Sequence, residues 1–435
     1  MEMSYDKSRS LLEKSCKALQ GSGAEKSSCF LTYSKTHELN VDGGEISLFR
    51  TIFDTQLTLT VIHESKKGTV TTNRTDERSL QNAVEEANEM ALSSQQDAAY
   101  DIAEGHTLKV KGNISEPESE LMYERLKEMM ALVKERWPEV IVEQTILRHK
   151  DNVRHYQNSR SADLYEEKGY YELMMMFTAK KGAKSSSFNG CFLSMNDLSY
   201  PLLKYGGLER LISEAPRQIE ARPFPGKSVG DVIITPECLD DFIEFLAIHL
   251  SDRTLITGTS FLKDSLNRTV APPFLTLKSA PRDRAMAGGY AITRDGFPAE
   301  NLTIIDKGVL KSYLLSQYGA NKCGLERAVN DGYYYVIEPG SESLATLIGK
   351  VDKGLVLNRF SGGNPGENGD FSGVAKNSFL IENGQVKGAL NETMISGNVR
   401  ELFLNIKGLS REVIDTGYSR LPWVHSGGVT ISGKN

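Results

Sequence analysis

A histidine followed by a glutamate is the pair from which zinc hydrolases build their centres: a second imidazole one helical turn on completes the metal site, and the carboxylate activates water. The chain has two such pairs, His37-Glu38 and His63-Glu64. Both lie in runs that predict strands, and Val41-Asp42 and Lys67-Gly68 stand where a second histidine is needed. A helical metal motif is therefore excluded at both. A third combination, Glu244 with His249, falls in DDFIEFLAIHL, which reads as a helix. Residues five apart on an ideal helix diverge by about 140°, so one ion cannot take both without local distortion. His249 also has a simpler role in the last helical turn, where the dipole favours a charged imidazole; Asp240 and Asp241 suit the N-terminal end. His149 and His155 flank Lys150-Asp151-Asn152, which predicts a turn and makes the two histidines surface neighbours across a hairpin.

Nucleophile schemes find less support. No GxSxG elbow is present, and the serines with a glycine context, Ser372 in GDFSG and Ser426 in HSGG, have no base beside them. The glycine-dense loop from Ser361 to Gly373 lacks the GK[ST] ending of a phosphate loop and carries Glu367 and Asp370. Asn364, Glu367, Asn368 and Asp370 offer oxygens for calcium, but they are equally the favoured turn formers, and a folded turn is the reading adopted.

The elements that must position these residues follow from patterning. At 435 residues, with 39% hydrophobic and 25% charged content, the chain can bury two or three cores. The net charge of −6 opposes direct nucleic-acid binding, which needs a basic footprint. No apolar window is long enough to span a membrane and the start reads as a charged amphipathic helix, so a cytoplasmic protein is expected. Five scattered cysteines without a CxxC fit reduced thiols.

An α+β fold is expected. Helix, antiparallel meander and helix alternate through an N-terminal region, 1–222, with possible subdomains 1–110 and 111–222. In the second helix Leu80, Val84, Ala87 and Ala91 form one stripe. Residues 105–116 read as a connector. ARPFPGKSVG marks the boundary to a β-rich C-terminal domain, 223–435, with a few packed helices.

SFLKDSL, the Asp295-Gly296 turn before IIDKGVLKSYLL, GDFS, IENG and ISGN occur in this order over the last two hundred residues or so. In that order and spacing they resemble the C-terminal half of the TldD/PmbA family, and within it the PmbA (TldE) branch. The chain departs from the family pattern at two places. The turn usually written Asp-x-Glu-Gly is Thr293-Arg294-Asp295-Gly296, and Glu326-Arg327-Ala328 replaces the Thr-Gly expected after CGL.

The resemblance implies a metallopeptidase scaffold. In the TldD branch a helix carrying HExxxH precedes the segment matched by GTSFLKDSL, and a cysteine near the C-terminus adds a zinc ligand. Here the matching helix holds Glu244 and His249 without a His-Glu pair, and the tail TGYSRLPWVHSGGVTISG has no cysteine; His425, expected on an edge strand, is its one substitute. The resemblance therefore implies a non-catalytic or regulatory chain with no metal of its own. It would pair with a zinc-bearing TldD-type chain, or with itself, and handle unfolded or peptide substrates. Peptide contacts are expected near Ser260, Phe261, Asp370, Phe371 and Ser372. Two alternatives remain: a self-sufficient hydrolase using Glu244, His249 and His425 or a serine, and a binding protein related to DNA gyrase.

Overall fold

The computed structural model describes residues 3–112 and 116–433, and the fold is α+β. Ser4 caps α1 (Tyr5–Gly21) by accepting from the Lys7 amide, and Ser8, Leu12, Ser15 and Leu19 form its buried stripe. The chain then makes a long antiparallel meander, β1 (Lys26–Asp42), β2 (Glu45–His63) and β3 (Lys66–Thr72). Asp76 caps α2 (Glu77–Ser93), whose Leu80, Val84, Ala87 and Ala91 are buried as their spacing predicts. Gly68 on β3 allows this helix to approach, since a β-carbon there would lie 1.9 Å from the Ala87 carbonyl oxygen.

Where a connector was expected, β4 (Thr107–Lys111) pairs parallel with a later strand; residues 113–115 of that segment lie outside the described residues. α3 (Ser119–Arg136) leads into β5 (Val140–Asn158) and β6 (Asp163–Lys181), with β7 (Lys184–Ser185) and β8 (Asn189–Met195) completing the sheet. The turn expected at Lys150-Asp151-Asn152 is absent. β5 runs straight through it, bonded to β1 on one side and β6 on the other, so His149 and His155 share a strand and both are buried.

Alternation gives this sheet two unlike faces. Leu39, Leu147 and Leu173 stand in register and pack under α3, while α1 and α2 cover Leu31, Leu57 and Leu59. The opposite face carries polar rows, Glu38, Arg148 and Glu172 in one and Arg154 paired to Glu166 in another, beside the apolar row of Phe30, Tyr156 and Leu164. Lys168 on this face donates to the carbonyls of Met286 and Gly289 at 3.1 and 3.2 Å, and Glu172 accepts from Tyr418 at 2.7 Å. The C-terminal half is therefore seated on polar side chains and on an apolar row, where Ile292 and Phe297 cluster with Phe30, Tyr156 and Leu164.

After α4 (Leu208–Glu214) and the short β9 (Ala221–Arg222), β10 (Lys227–Ile234) enters the second sheet. α5 (Pro236–Ile248) follows, opened by Pro236 in its first turn, and buries Cys238, Leu239, Phe242, Ile243, Leu246 and Ala247. The sheet's spine is the strand Arg420–Gly433, which pairs antiparallel with β10, Thr393–Asn398 and Ile406–Asp415 and parallel with Tyr335–Ile337. His425 consequently lies on an interior strand and is buried, not on the expected edge.

Candidate functional site

Helix α5 decides the site because its faces look into different surroundings. Phe242 and Phe245 enter the aromatic core with Phe360. Glu237, Asp240 and Glu244, at helical spacings of three and four, share one flank and line a cavity of about 580 Å³. The polar face of the first sheet and β8 supply Arg154 and Phe192 to its walls; the second half supplies Tyr290, Tyr334 and Tyr418.

The wall formed by Asp331 to Tyr335 has unusual backbone. Gly332, Tyr333 and Tyr334 have φ of 81°, 64° and 52°, three consecutive residues in the left-handed region. For a tyrosine this costs on the order of 1–3 kcal/mol and persists only where surrounding contacts enforce it. Those contacts are hydroxyl bonds: Tyr334 donates to the Gly288 carbonyl at 2.6 Å and Tyr290 to that of Gly332 at 3.0 Å.

Charge in the cavity is unevenly matched. Glu237 is held by Arg210 at 2.6 Å. Burial, then the carboxylates of Glu244 and Asp241, pushes the Asp240 carboxyl up to about 7, against a hydrogen bond from Ser419. Glu244 is also raised by burial, opposed by its hydrogen bond to Tyr335. Burial lifts Asp241 to about 6, with Arg359 opposing.

Of the residues expected to act, Glu244 alone reaches this cavity. His249 caps the far end of α5, buried, with its ring 4.0 Å from that of Phe261. Burial lowers its pKa, so the charged imidazole expected from the helix dipole is not favoured. His425 hydrogen-bonds through Nε2 to Asp231 at 2.8 Å, and Lys407 grips the same carboxylate at 2.7 Å. The three side chains proposed as an alternative ligand set thus stand in three separate surroundings. Among the described residues no three histidine, cysteine, aspartate or glutamate side chains converge as a metal ion requires. The donor set does not fit zinc.

The expected peptide-contact residues do come near one another. Gly369, at φ 88°, lies against the Phe261 ring, where a β-carbon would approach to 2.9 Å. Asn398 donates to Asp370 at 2.8 Å and to the Asn368 carbonyl at 2.9 Å, and Asn368 donates to Asp370 at 2.6 Å. These amides satisfy Asp370 as a turn would. Ser260 and Phe371 are buried, so only Asp370 and Ser372 present exposed side chains; their strand pairs with Ser396–Asn398 on one side.

Sequence reading missed two features. Ser8, His155 and Asp163 are joined as in a hydrolytic triad, Oγ to Nδ1 at 2.8 Å and Nε2 to the carboxylate at 2.8 Å. Ser8 is fully buried and its hydroxyl donates to the Tyr5 carbonyl at 2.9 Å, so substrate has no access to it. The two departures from the family pattern also meet in space. Arg327 makes a bidentate contact to Asp295 at 2.9 and 2.8 Å, and the Gln317 amide donates to the same carboxylate at 2.8 Å.

Comparison with known proteins accounts for this architecture. The PmbA/TldA metallopeptidase C-terminal domain matches residues 226–433, and the PmbA/TldA metallopeptidase domain 1 matches residues 28–91. A metalloprotease PmbA homologue of Buchnera aphidicola is 26% identical over 242 residues, 55% of this chain and 52% of that protein. The chain spans about half the length of the curated relatives it matches. Among solved structures, TldE from Thermococcus kodakarensis superposes with a TM-score of 0.81 at 21% identity, covering 98% of this chain and 99% of its own. A Bacteroides thetaiotaomicron protein described as a candidate modulator of DNA gyrase superposes with a TM-score of 0.85 at 20% identity over the full length of both. At these identities the structural likeness speaks for the fold, and the matched domains assign the lineage: the chain belongs to the PmbA/TldD metallopeptidase family.

Proposed function

We propose that this chain is a non-catalytic subunit of a peptide-cleaving assembly, pairing with a zinc-bearing chain of its own family and handling unfolded or peptide substrate. One observation carries the reading: the cavity flank of α5 holds Glu237, Asp240 and Glu244, while His249 and His425 are committed to Phe261 and Asp231. A chain with this arrangement contributes walls and charge, and the metal comes from elsewhere.

The pairing half is supported by β2. Beyond its ladder with β3, which begins at Leu57, β2 is an outer strand that exposes Ile46, Leu48, Phe49, Ile52 and Phe53. An open strand edge with exposed apolar side chains is an association surface unless something covers it. The occupant favoured here is a sister chain of the family. Asp370 and Ser372 supply an exposed strand segment where an extended peptide could lie.

The test is to purify the chain alone and with a family member bearing HExxxH from the same source, then measure zinc content, mass in solution and cleavage of an unfolded protein. The expected result is substoichiometric zinc and no cleavage alone, with a stable complex and cleavage when combined. One zinc per isolated chain, with hydrolysis abolished by His249→Ala, would overturn the proposal in favour of a self-sufficient hydrolase.

A further inference from the structure

The cavity beside α5 holds more negative charge than its walls neutralise. Asp240 and Glu244 project from successive turns, and their surroundings are each other, Asp241, Ser419 and Tyr335; no cationic group contributes to either. Of the arginines that line the cavity, Arg154 stands 3.8 Å from Glu166 and 5.7 Å from the centre of the Tyr290 ring, and Arg294 stands 3.8 Å from Asp331; neither acts on Asp240 or Glu244.

Facing these carboxylates is a wall of aromatic rings. Phe192 stacks on Tyr418 with centroids 4.9 Å apart, Tyr334 lies 6.3 Å from Tyr418, and Tyr290 meets Tyr334 edgewise at 5.8 Å. The hydroxyls of Tyr290, Tyr334 and Tyr418 are consumed by Gly332, Gly288 and Glu172. What remains for an occupant is therefore ring surface, whose electron-rich faces attract cations. The strained run from Gly332 to Tyr334 fixes two of the lining tyrosines in a conformation that packing alone would not select.

We infer that this cavity binds an organic ammonium ion, with its charge at Asp240 and Glu244 and its carbon chain against the tyrosine rings. A volume of about 580 Å³ accepts an extended alkylammonium with its flanking groups, and a lysine side chain of a peptide and a free diamine both have this chemistry. The inference stands on the cavity and is independent of whether the chain pairs with another.

Titration calorimetry on the full chain, at mildly alkaline pH and low salt, tests it with three probes: N-acetyl-lysine methylamide, putrescine, and the neutral isostere N-acetyl-norleucine methylamide. At least one ammonium probe is expected to bind more tightly than the isostere by about tenfold or more. Asp240→Asn/Glu244→Gln is expected to erase that difference while melting no lower than the parent; Glu244→Gln alone serves if the double variant does not fold. Preference for the lysine probe assigns a peptide side chain, and preference for putrescine a free amine. Equal binding of the isostere, unchanged affinity in the charge variants, or no binding of either ammonium probe up to about 10 mM overturns the inference.

Discussion

Two regions of this molecule gather the side chains from which hydrolases are made, and they differ in what has been left unsatisfied. In the N-terminal sheet, Ser8, His155 and Asp163 reproduce the connectivity of a triad, sealed beneath α1 with Tyr5 stacked on the imidazole at 5.6 Å. Ser8 and His155 are fully buried and hydrogen-bonded, and only the Asp163 carboxylate, which also accepts from Gln157, reaches the surface. The cavity beside α5 shows no familiar motif, yet its Asp240 and Glu244 carboxyls stand without a cationic partner beside an open volume. A closed network reports packing; unmatched charge next to a void reports a site. Deleting a member of a satisfied network must therefore cost stability, whereas deleting an unmatched charge must not.

The largest expected effect tests the satisfied side of that contrast at Asp295. This carboxylate is held below its ordinary range against the pull of burial, chiefly by hydrogen bonds and charge from Arg327. Arg327→Ala leaves it buried and unmatched and also removes the guanidinium from the Phe297 ring, 3.8 Å away. A loss of about 3 kcal/mol in urea unfolding is expected. Asp295→Asn in the same background should recover part of it, because the stranded charge is gone. A loss below about 0.5 kcal/mol would mean that the network is not what stabilises this turn.

His155→Ala comes next, at about 2 kcal/mol, since it removes one bond each from Ser8 and Asp163 and leaves a cavity under Tyr5. Thermal melting read by circular dichroism measures it. A neutral outcome would sever the link between hydrogen-bond completeness and structural role.

These experiments probe contacts that the sequence conceals to different degrees. Helices such as α2 and α5 were legible because they announce themselves locally: the Leu80, Val84, Ala87, Ala91 stripe is a periodicity, and Pro236 opens α5 by its fixed φ. Lys150-Asp151-Asn152 misleads because turn propensity is local while the strand's support is not. Lys150 reaches Glu172 at 2.8 Å and Asn152 reaches the Tyr170 hydroxyl at 3.2 Å, partners on the next strand that repay polar residues for lying in a sheet. α5 was found, but the flank it turns to the cavity depends on Tyr333 to Tyr335 and Tyr418, which lie about ninety residues or more downstream. Asp295 and Arg327 stood out as departures from the family pattern, while their contact is visible only in three dimensions.

On the unmatched side, Asp240→Asn is expected to stabilise the protein. The folded-state carboxyl titrates near 7 against an ordinary 3.8, so the folded form carries a penalty that is absent below about 4, grows as pH rises, and is complete above about 7. The variant should therefore melt roughly 1–3 °C higher than the parent at pH 8, with the difference vanishing near pH 4. A lower melting temperature at pH 8 would show that Asp240 has a cationic partner after all and would remove the contrast at its root.

The smallest effect gives the sharpest test of the triad's silence. Ser8→Ala removes the bond to His155 Nδ1 and that to the Tyr5 carbonyl, and α1 keeps its Leu12 and Leu19 anchors in the core. A stability loss of about 0.5–1 kcal/mol follows from deleting a buried hydroxyl and its bonds. Were Ser8 a nucleophile, the same change would lower peptide cleavage by about a thousandfold or more. In the proposed assembly with a zinc-bearing sister chain, cleavage by the Ser8→Ala form should match the parent once both are fully folded. A collapse of activity with stability intact would show that the hydroxyl becomes accessible in the complex, and completeness of hydrogen bonding would then no longer separate the two regions.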